Sequence, residues 1–361
     1  MLLSIIAVLF TFGLVIFLHE FGHFVVCKLS GIKVEAFSFG FGPELWGRTS
    51  GPTRYSLRAV PLGGYVKPAG ENIDEVSGAP DEYFSKPWYT RLAVVFAGPV
   101  MNYVLAFVLF AGVILIVGEP VPSTEPVIGD IAQGYPAAAA GLKPGDRVLK
   151  IDGTPVADWA DMAARIHGKF RKPVSVTYSR AGAEATVSLT TREAPEGLQR
   201  GVIGISPGVA YARVPLLKGV AMGAHQCWYW TAFTVKTLAS NIYKHEKPDL
   251  AGPIGIVNIV SKAAHTGAPD FFFLIGLISV AVGFFNLLPL PLLDGGWIVL
   301  FLFEGVSRRK VSSEVMKYVN GAGIALLLSI FLFATYSDIM RLKTAHDAKK
   351  AAAASRTQEQ K

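Results

Sequence analysis

A chain of 361 residues that is 51% hydrophobic and only 17% charged holds more apolar surface than one soluble domain of this size would carry, and a mean hydropathy of +0.41 says the same. The formal net charge of +7 comes from basic residues beside apolar runs, which suits anionic lipid; no stripe of basic residues interleaved with aromatic ones argues for nucleic acid as a partner. Two cysteines, Cys27 and Cys227, are too few for a disulfide framework and read as buried or interfacial thiols.

The first apolar run has no charge over residues 2–18 and resumes over 21–27, so one helix long enough to cross a bilayer carries His19, Glu20 and His23. It lacks the basic start and small-residue cleavage site of a secretory signal peptide. Positions i and i+4 share a helix face, so His19 and His23 can aim both imidazoles at one zinc ion. Glu20 points roughly 100° away around the helix, placed to act as general base on a metal-bound water without being a ligand. This is the H-E-x-x-H pattern of metalloproteases. Ionisable groups at such depth are costly unless paired, bound to metal or facing a wet cavity.

Residues 33–47 and 54–66 alternate in the manner of strands, with aromatic residues at every second position from Phe37 to Phe41, and glycines and Pro43 break them into a curled β-hairpin. Following the histidine helix directly, this hairpin could offer a strand edge to an extended peptide, with Phe39, Gly40, Gly63, Gly64 and Tyr65 as candidate contacts; the simpler reading is an amphipathic hairpin on the membrane surface. Residues 71–82 form an acidic loop. A second apolar run over 92–117 is interrupted by Gly98-Pro99 and Asn102, which places the Asn102 amide in the protein interior, in packing or behind the site.

Composition changes at Gly118. Residues 126–190 carry the short strands, the Asp152-Gly153 turn and the helix over 158–167 of a compact mixed domain. The block from Ala140-Gly141-Leu142 through Pro144-Gly145-Asp146 to Ile151-Asp152-Gly153 resembles a bacterial PDZ domain, in one copy. That resemblance implies binding of a peptide along a sheet edge, the alternative being a folded spacer. Residues 216–238 hold Lys218, His225, Gln226 and Lys236 among aromatics, which suits an amphipathic helix on the bilayer surface better than a fifth span. His225 and His245 read as surface or interfacial residues, and residues 251–255 as a turn.

A third apolar run, 271–293, ends in Asn286-Leu287-Leu288-Pro289-Leu290-Pro291-Leu292-Leu293-Asp294-Gly295-Gly296. Its prolines and glycines predict unwound backbone, tolerable in hydrocarbon only where it lines a protein cavity. Asp294 is the candidate third zinc ligand, since two histidines and a carboxylate leave one position open for water; alternatively it caps the helix that follows. Asn286 is placed to hydrogen-bond the substrate backbone or a developing oxyanion. A basic connection containing Arg308-Arg309-Lys310 leads to a fourth run, 319–336, and an Ala- and Lys-rich tail that reads as a frayed helix or disordered.

With His19-Glu20-Phe21-Gly22-His23, the Gly-Pro second span, one PDZ-like insert and Leu293-Asp294-Gly295 in this order, residues 2–336 resemble the bacterial site-2 protease family, the RseP-type zinc intramembrane metalloproteases. The resemblance implies one Zn2+ held by His19, His23 and Asp294, Glu20 as catalytic acid/base, a membrane-reentrant β-loop over residues 33–66 that presents substrate as a strand, and four spans. It further implies a bacterial inner (cytoplasmic) membrane protein with zinc near the cytoplasmic side and the PDZ-like domain outside the cytoplasm. Tandem PDZ domains, found in the best-known members, are not matched here, and the basic tail falls on the side the positive-inside rule disfavours.

The expected fold is thus an α-helical polytopic membrane protein of about four spans with a β-hairpin or reentrant loop and one inserted α+β PDZ-like domain. Its parts are a first span over 1–30, β-loop over 31–70, second span over 90–118, PDZ-like domain over 121–195, amphipathic region over 211–255, third span over 271–304, fourth span over 319–340 and tail over 341–361. Its expected partners are a single-span membrane protein as substrate, such as an anti-sigma factor or remnant signal peptide, a peptide for the PDZ-like domain, and lipid. The rival readings are a PDZ-bearing scaffold without catalysis and an ion or proton transporter using His19, Glu20 and Asp294 as a relay.

Overall fold

The computed structural model describes residues 1–194, 200–244, 252–309 and 312–359. His245, Ala251 and Lys310 lie outside the described residues. Two compact units are present: residues 1–114 with 216–361, and residues 115–215.

The first unit opens with helix α1 (Leu2–Leu29), apolar on all faces. Its buried positions Ala7, Thr11, Val15, His19 and Gly22 recur at helical spacing, so His19 sits on the inward stripe. Strands β1 (Val34–Ser50) and β2 (Thr53–Pro68) pair antiparallel with repeated register shifts. The shifts let residues 36–39 of β1 pair on one side with 54–57 and on the other with 64–67, so the hairpin curls into a small sheet. Residues 64–68 are its edge, laddered on one side only among the described residues.

Helix α2 (Trp88–Val117) contains Pro99 in its interior and passes close to its neighbours through small residues. A Cβ on Gly22 of α1 would overlap the Ala97 carbonyl of α2, and one on Gly276 would overlap the Phe110 ring. Such stripes replace the hydrophobic driving force that packs helices in water, because lipid is as apolar as the helices themselves. The second unit, 115–215, contains β3 (Glu119–Pro122), β4 (Ile128–Ile131), α3 (Pro136–Ala139), β5 (Arg147–Ile151), β6 (Thr154–Pro155), α4 (Trp159–His167), β7 (Pro173–Arg180), β8 (Ala183–Thr190), β9 (Arg192–Glu193), β10 (Gly201–Val202), β11 (Ile205–Pro207) and β12 (Val209–Ala212). It is the PDZ-like domain: a sheet of order β6-β5-β7-β8 packs Val148, Ile151, Val174, Val176 and Leu189 against Met162 and Ile166 of α4. Strands β11 and β12 pair back with β4 and β3, so the unit includes residues 201–212 as well as the PDZ-like block.

The chain returns through α5 (Leu216–Lys244), which exposes Trp228 and Tyr229. Helix α6 (Pro253–Thr266) follows where the Gly-Pro pair reads as a turn; Gly252 is the N-cap and Pro253 opens the helix at a position where its missing N–H costs nothing. The third apolar run is two helices, α7 (Ala268–Leu287) and α8 (Asp294–Ser307), separated by residues 288–293. Helix α9 (Ser313–Glu359) continues through the tail as helix. Its buried Asp338 accepts hydrogen bonds from the Gly252 and Gly255 N–H groups at the start of α6, 3.0 and 2.9 Å. Among the described residues α1, α2, α7 and Glu314–Arg341 of α9 are long and apolar enough to cross a bilayer, which makes the protein a polytopic α-helical membrane protein.

Candidate active site

His19 and His23 leave α1 one turn apart, and Asp294 reaches them from the first turn of α8, about 270 positions later in the chain. Asp294 Oδ2 lies 3.1 Å from His19 Nε2, Asp294 Oδ1 lies 3.6 Å from His23 Nε2, and the two Nε2 atoms are 3.2 Å apart. Ligands about 2.0–2.1 Å from a tetrahedral ion stand about 3.3–3.4 Å from one another, so this donor set has the spacing of a zinc site. Asp294 Oδ2 is also buried without a hydrogen-bond partner among the described residues, the state of a carboxylate oxygen that awaits a cation. Asp294 makes no side-chain hydrogen bond to cap α8, whose N-cap is Leu293.

The break after α7 delivers Asp294. Leu288 precedes Pro289 and is extended, as the proline ring requires, and Leu292 takes a left-handed φ of 69°. A Cβ on Gly295 would overlap the Leu288 carbonyl, and one on Gly296 would lie 2.5 Å from the Leu290 carbonyl oxygen. Both glycines therefore let residues 287–291 lie across the start of α8 and set the aspartate against α1.

Helix α2 backs the two histidines. Pro99 supplies no N–H to the Val95 carbonyl four residues earlier, which loosens this turn. The neighbouring Val94 carbonyl accepts a hydrogen bond from His23 Nδ1 at 2.7 Å. Gly98 lies directly beneath the rings, where a Cβ would come within 2.5 Å of His23 Cε1 and 2.8 Å of His19 Cε1. One turn on, the wholly buried Asn102 places its amide nitrogen 3.1 Å from His19 Nδ1. Val94, Gly98 and Asn102 thus form an i, i+4, i+8 stripe facing the H-E-x-x-H turn. Of these the sequence placed Asn102 in the interior and named Gly98 only as part of the Gly-Pro interruption of the span; it did not assign Val94, because a backbone carbonyl has no residue signature.

Glu20 Oε2 accepts from the Val66 N–H at 3.2 Å. Glu20, both histidines, Asp294, Asn286 and Val66 line one cavity of about 300 Å³, so Asn286 shares the site with the candidate ligand set. A second cavity of about 700 Å³ shares Pro68, Glu71 and Trp297 with it. The hairpin touches the site through Val66 and Pro68; the candidate contacts Phe39, Gly40, Gly63, Gly64 and Tyr65 do not line this cavity. Phe39 packs edge-on against Phe17, Gly40 passes close to the Val60 carbonyl and Gly63 lies under the Phe41 ring. Gly64 ladders with Phe39, and the Tyr65 hydroxyl accepts from Arg58 at 3.0 Å. Phe24, Phe37 and Tyr55 continue the aromatic contact between α1 and the hairpin. Sequence alternation finds which residues face the sheet; it does not find Val66, whose contribution is an N–H on the strand edge.

Residues 7–330 match the family model described as Peptidase family M50. The chain is 33% identical over 342 residues to a protein of Clostridium acetobutylicum provisionally named a zinc metalloprotease, covering 93% of this chain and 97% of that one. It is 33% identical over 362 residues to a protein of Mesorhizobium japonicum with the same provisional name, covering 93% and 98%. It is 30% identical over 391 residues to metalloprotease MmpA of Caulobacter vibrioides, covering 94% and 96%. Among solved structures it is similar to the PDZ domain of an SdrC-like protein from Listeria monocytogenes, 22% identical with a TM-score of 0.21, covering 24% of this chain and 90% of that one.

Proposed function

The chain belongs to peptidase family M50, and from that premise we propose that it is a zinc-dependent intramembrane endopeptidase that cuts the membrane segments of single-span proteins. The observation that carries this reading is the convergence of His19, His23 and Asp294 from two distant helices at ligand spacing. Bound among these three groups, zinc supplies the Lewis acidity that polarises the scissile carbonyl and makes water a nucleophile near neutral pH. Glu20, in the same cavity, takes the water proton and passes it to the leaving amine. Asn286 is placed to donate to the carbonyl oxygen as charge develops on it.

A helical substrate keeps its carbonyls in i to i−4 bonds and must unwind before attack. The edge at residues 64–68 supports that step, since a strand laddered on one side can give an extended segment replacement hydrogen bonds beside the cavity. Tyr65 and Gly64 belong to this edge and act there as substrate contacts, while Phe39, Gly40 and Gly63 shape the sheet behind it. The substrate class is a single-span protein already trimmed outside the membrane, such as an anti-sigma factor or a remnant signal peptide. The protein resides in the bacterial inner membrane, with the zinc site towards the cytoplasm and residues 115–215 on the other side, where they bind a peptide. Lys28, Lys33, Arg308 and Arg309, near the ends of α1 and α8, support this orientation by the positive-inside rule.

The test is purified protein with a single-span model substrate in detergent. Wild type should cleave it and hold one zinc, whereas Glu20→Gln should keep the zinc and lose the cleavage. Cleavage by Glu20→Gln at the wild-type rate would remove the catalytic assignment.

A further inference from the structure

The two histidines are backed differently by α2, and the difference assigns a role to Asn102. His23 Nδ1 faces the Val94 carbonyl oxygen, 2.7 Å away, and a carbonyl can only accept. The proton is therefore on Nδ1, and His23 presents a bare Nε2 to the ligand set. Among the described residues His19 meets no such carbonyl. Its Nδ1 lies 3.1 Å from Asn102 Nδ2, and in this orientation the amide donates, Nδ1 accepts, and the proton of a neutral ring sits on Nε2. That proton would occupy the space where Nε2 approaches His23 Nε2 at 3.2 Å and Asp294 Oδ2 at 3.1 Å. In this orientation Asn102 Oδ1 is buried without a hydrogen-bond partner among the described residues, so no donor there holds the oxygen away from His19. A half-turn of the amide exchanges its two ends, so that Oδ1 accepts from His19 Nδ1–H and Nε2 becomes free to ligate.

We infer that Asn102 is the positioning residue of the metal site: its amide oxygen accepts the Nδ1 proton of His19 and so holds that ring in the one tautomer that can bind a cation through Nε2. The neighbouring helix holds Asn102 for this task. Ser279 of α7 donates to the Asn102 backbone carbonyl at 2.8 Å, and Gly283, one turn further along α7, leaves room for the Asn102 side chain, since a Cβ there would stand 3.2 Å from Asn102 Cβ. Hydrogen-bond partners of metal-bound histidines change metal affinity about 10- to 100-fold when removed. The inference rests on the zinc reading given above.

The experiment compares full-length wild type, Asn102→Asp and Asn102→Leu in detergent, with zinc affinity read by competition against a chelator. Asn102→Leu keeps the branching at Cγ but has no acceptor, and its zinc affinity should fall about 10- to 100-fold. Asn102→Asp keeps an acceptor oxygen at the same place and should bind zinc at least as tightly as wild type. A packing role predicts the opposite order, because leucine suits an apolar site and aspartate buries a charge there. Should the variants fold poorly, 15N-histidine spectra of zinc-free wild type decide alone, since the Asn102 oxygen should hold the neutral His19 proton on Nδ1 before any metal binds; a proton on Nε2 there overturns the assignment. Wild type that holds no zinc overturns the zinc reading and this inference together. Wild type that holds zinc, with Asn102→Asp weaker than Asn102→Leu, overturns the role of Asn102 alone.

Discussion

Replacing Gly98 by alanine tests how closely α2 is fitted to the metal site, because two effects of known size act in opposite directions. In an ordinary helix interior Gly→Ala stabilises by about 0.5–1 kcal/mol through lost backbone entropy. At Gly98 the new methyl would overlap His23 Nε2 and stand 2.5 Å from His23 Cε1 and 2.8 Å from His19 Cε1, so the rings must withdraw by roughly 0.6–1.0 Å to reach ordinary van der Waals contact. A metal site accepts ligand displacements of only about 0.2 Å. Zinc affinity should therefore fall by about a hundredfold or more. With zinc at a hundred times the wild-type Kd, that change alone removes about 2.3 kcal/mol of ligand stabilisation, more than the helix gains. Thermal melts of detergent-purified protein should thus reverse order: Gly98→Ala below wild type with zinc present, and level with it or above it in chelator, where the rings can turn aside. A variant that binds zinc as wild type does and melts higher in its presence would refute the reasoning.

Glu20→Gln should lower cleavage by about 10²- to 10⁴-fold with zinc content unchanged, measured by substrate gel assay and metal analysis on the same sample. Asp294→Ala and His23→Ala should each lose stoichiometric zinc; full retention in either would take that residue out of the ligand set. In the PDZ-like domain, hydrogen bonds from Arg180 hold the Asp146 carboxyl below the usual carboxylate range. Because the folded value is depressed, the contribution to stability is present above the unfolded value of about 3.9 and is lost as pH falls through the folded one. Asp146 is buried, so Asp146→Asn should destabilise the domain by about 1–3 kcal/mol at neutral pH and flatten its acid melting profile below about pH 4, followed by circular dichroism. An unchanged profile would mean that the Arg180 pair contributes nothing to folding.

Much of this molecule is legible from local chemistry. The spans show as charge-free runs, because hydrocarbon tolerates few polar groups, and the strands of the hairpin show as alternation, because a sheet has two faces. The broken helix before Asp294 is announced by Pro289, Pro291, Gly295 and Gly296, each a backbone instruction that needs no partner. Helix α6 was hidden by the Gly252-Pro253 pair, which reads as a turn yet caps and opens a helix; what completes it is Asp338, 86 residues away on α9. The strands at 201–212 were hidden for a related reason. They are two to four residues long and owe their existence to pairing with β9, β4 and β3, not to their own propensity.

The site divides the same way. His19, Glu20 and His23 are one turn of one helix, so their spacing alone decides that two imidazoles share a face and a carboxylate stands beside them. Asp294 could be named as a partner but not placed, since closing a loop of about 270 residues is settled by packing and not by pattern. Nor could the sequence say that Val66 offers its N–H to Glu20, that Val94 offers a carbonyl to His23, or that Gly98 is the floor beneath both rings. Side-chain chemistry is written in the order of the residues and determines what a group can do. Backbone atoms are the same at every position, and only the tertiary structure decides which of them is left facing a reactive group.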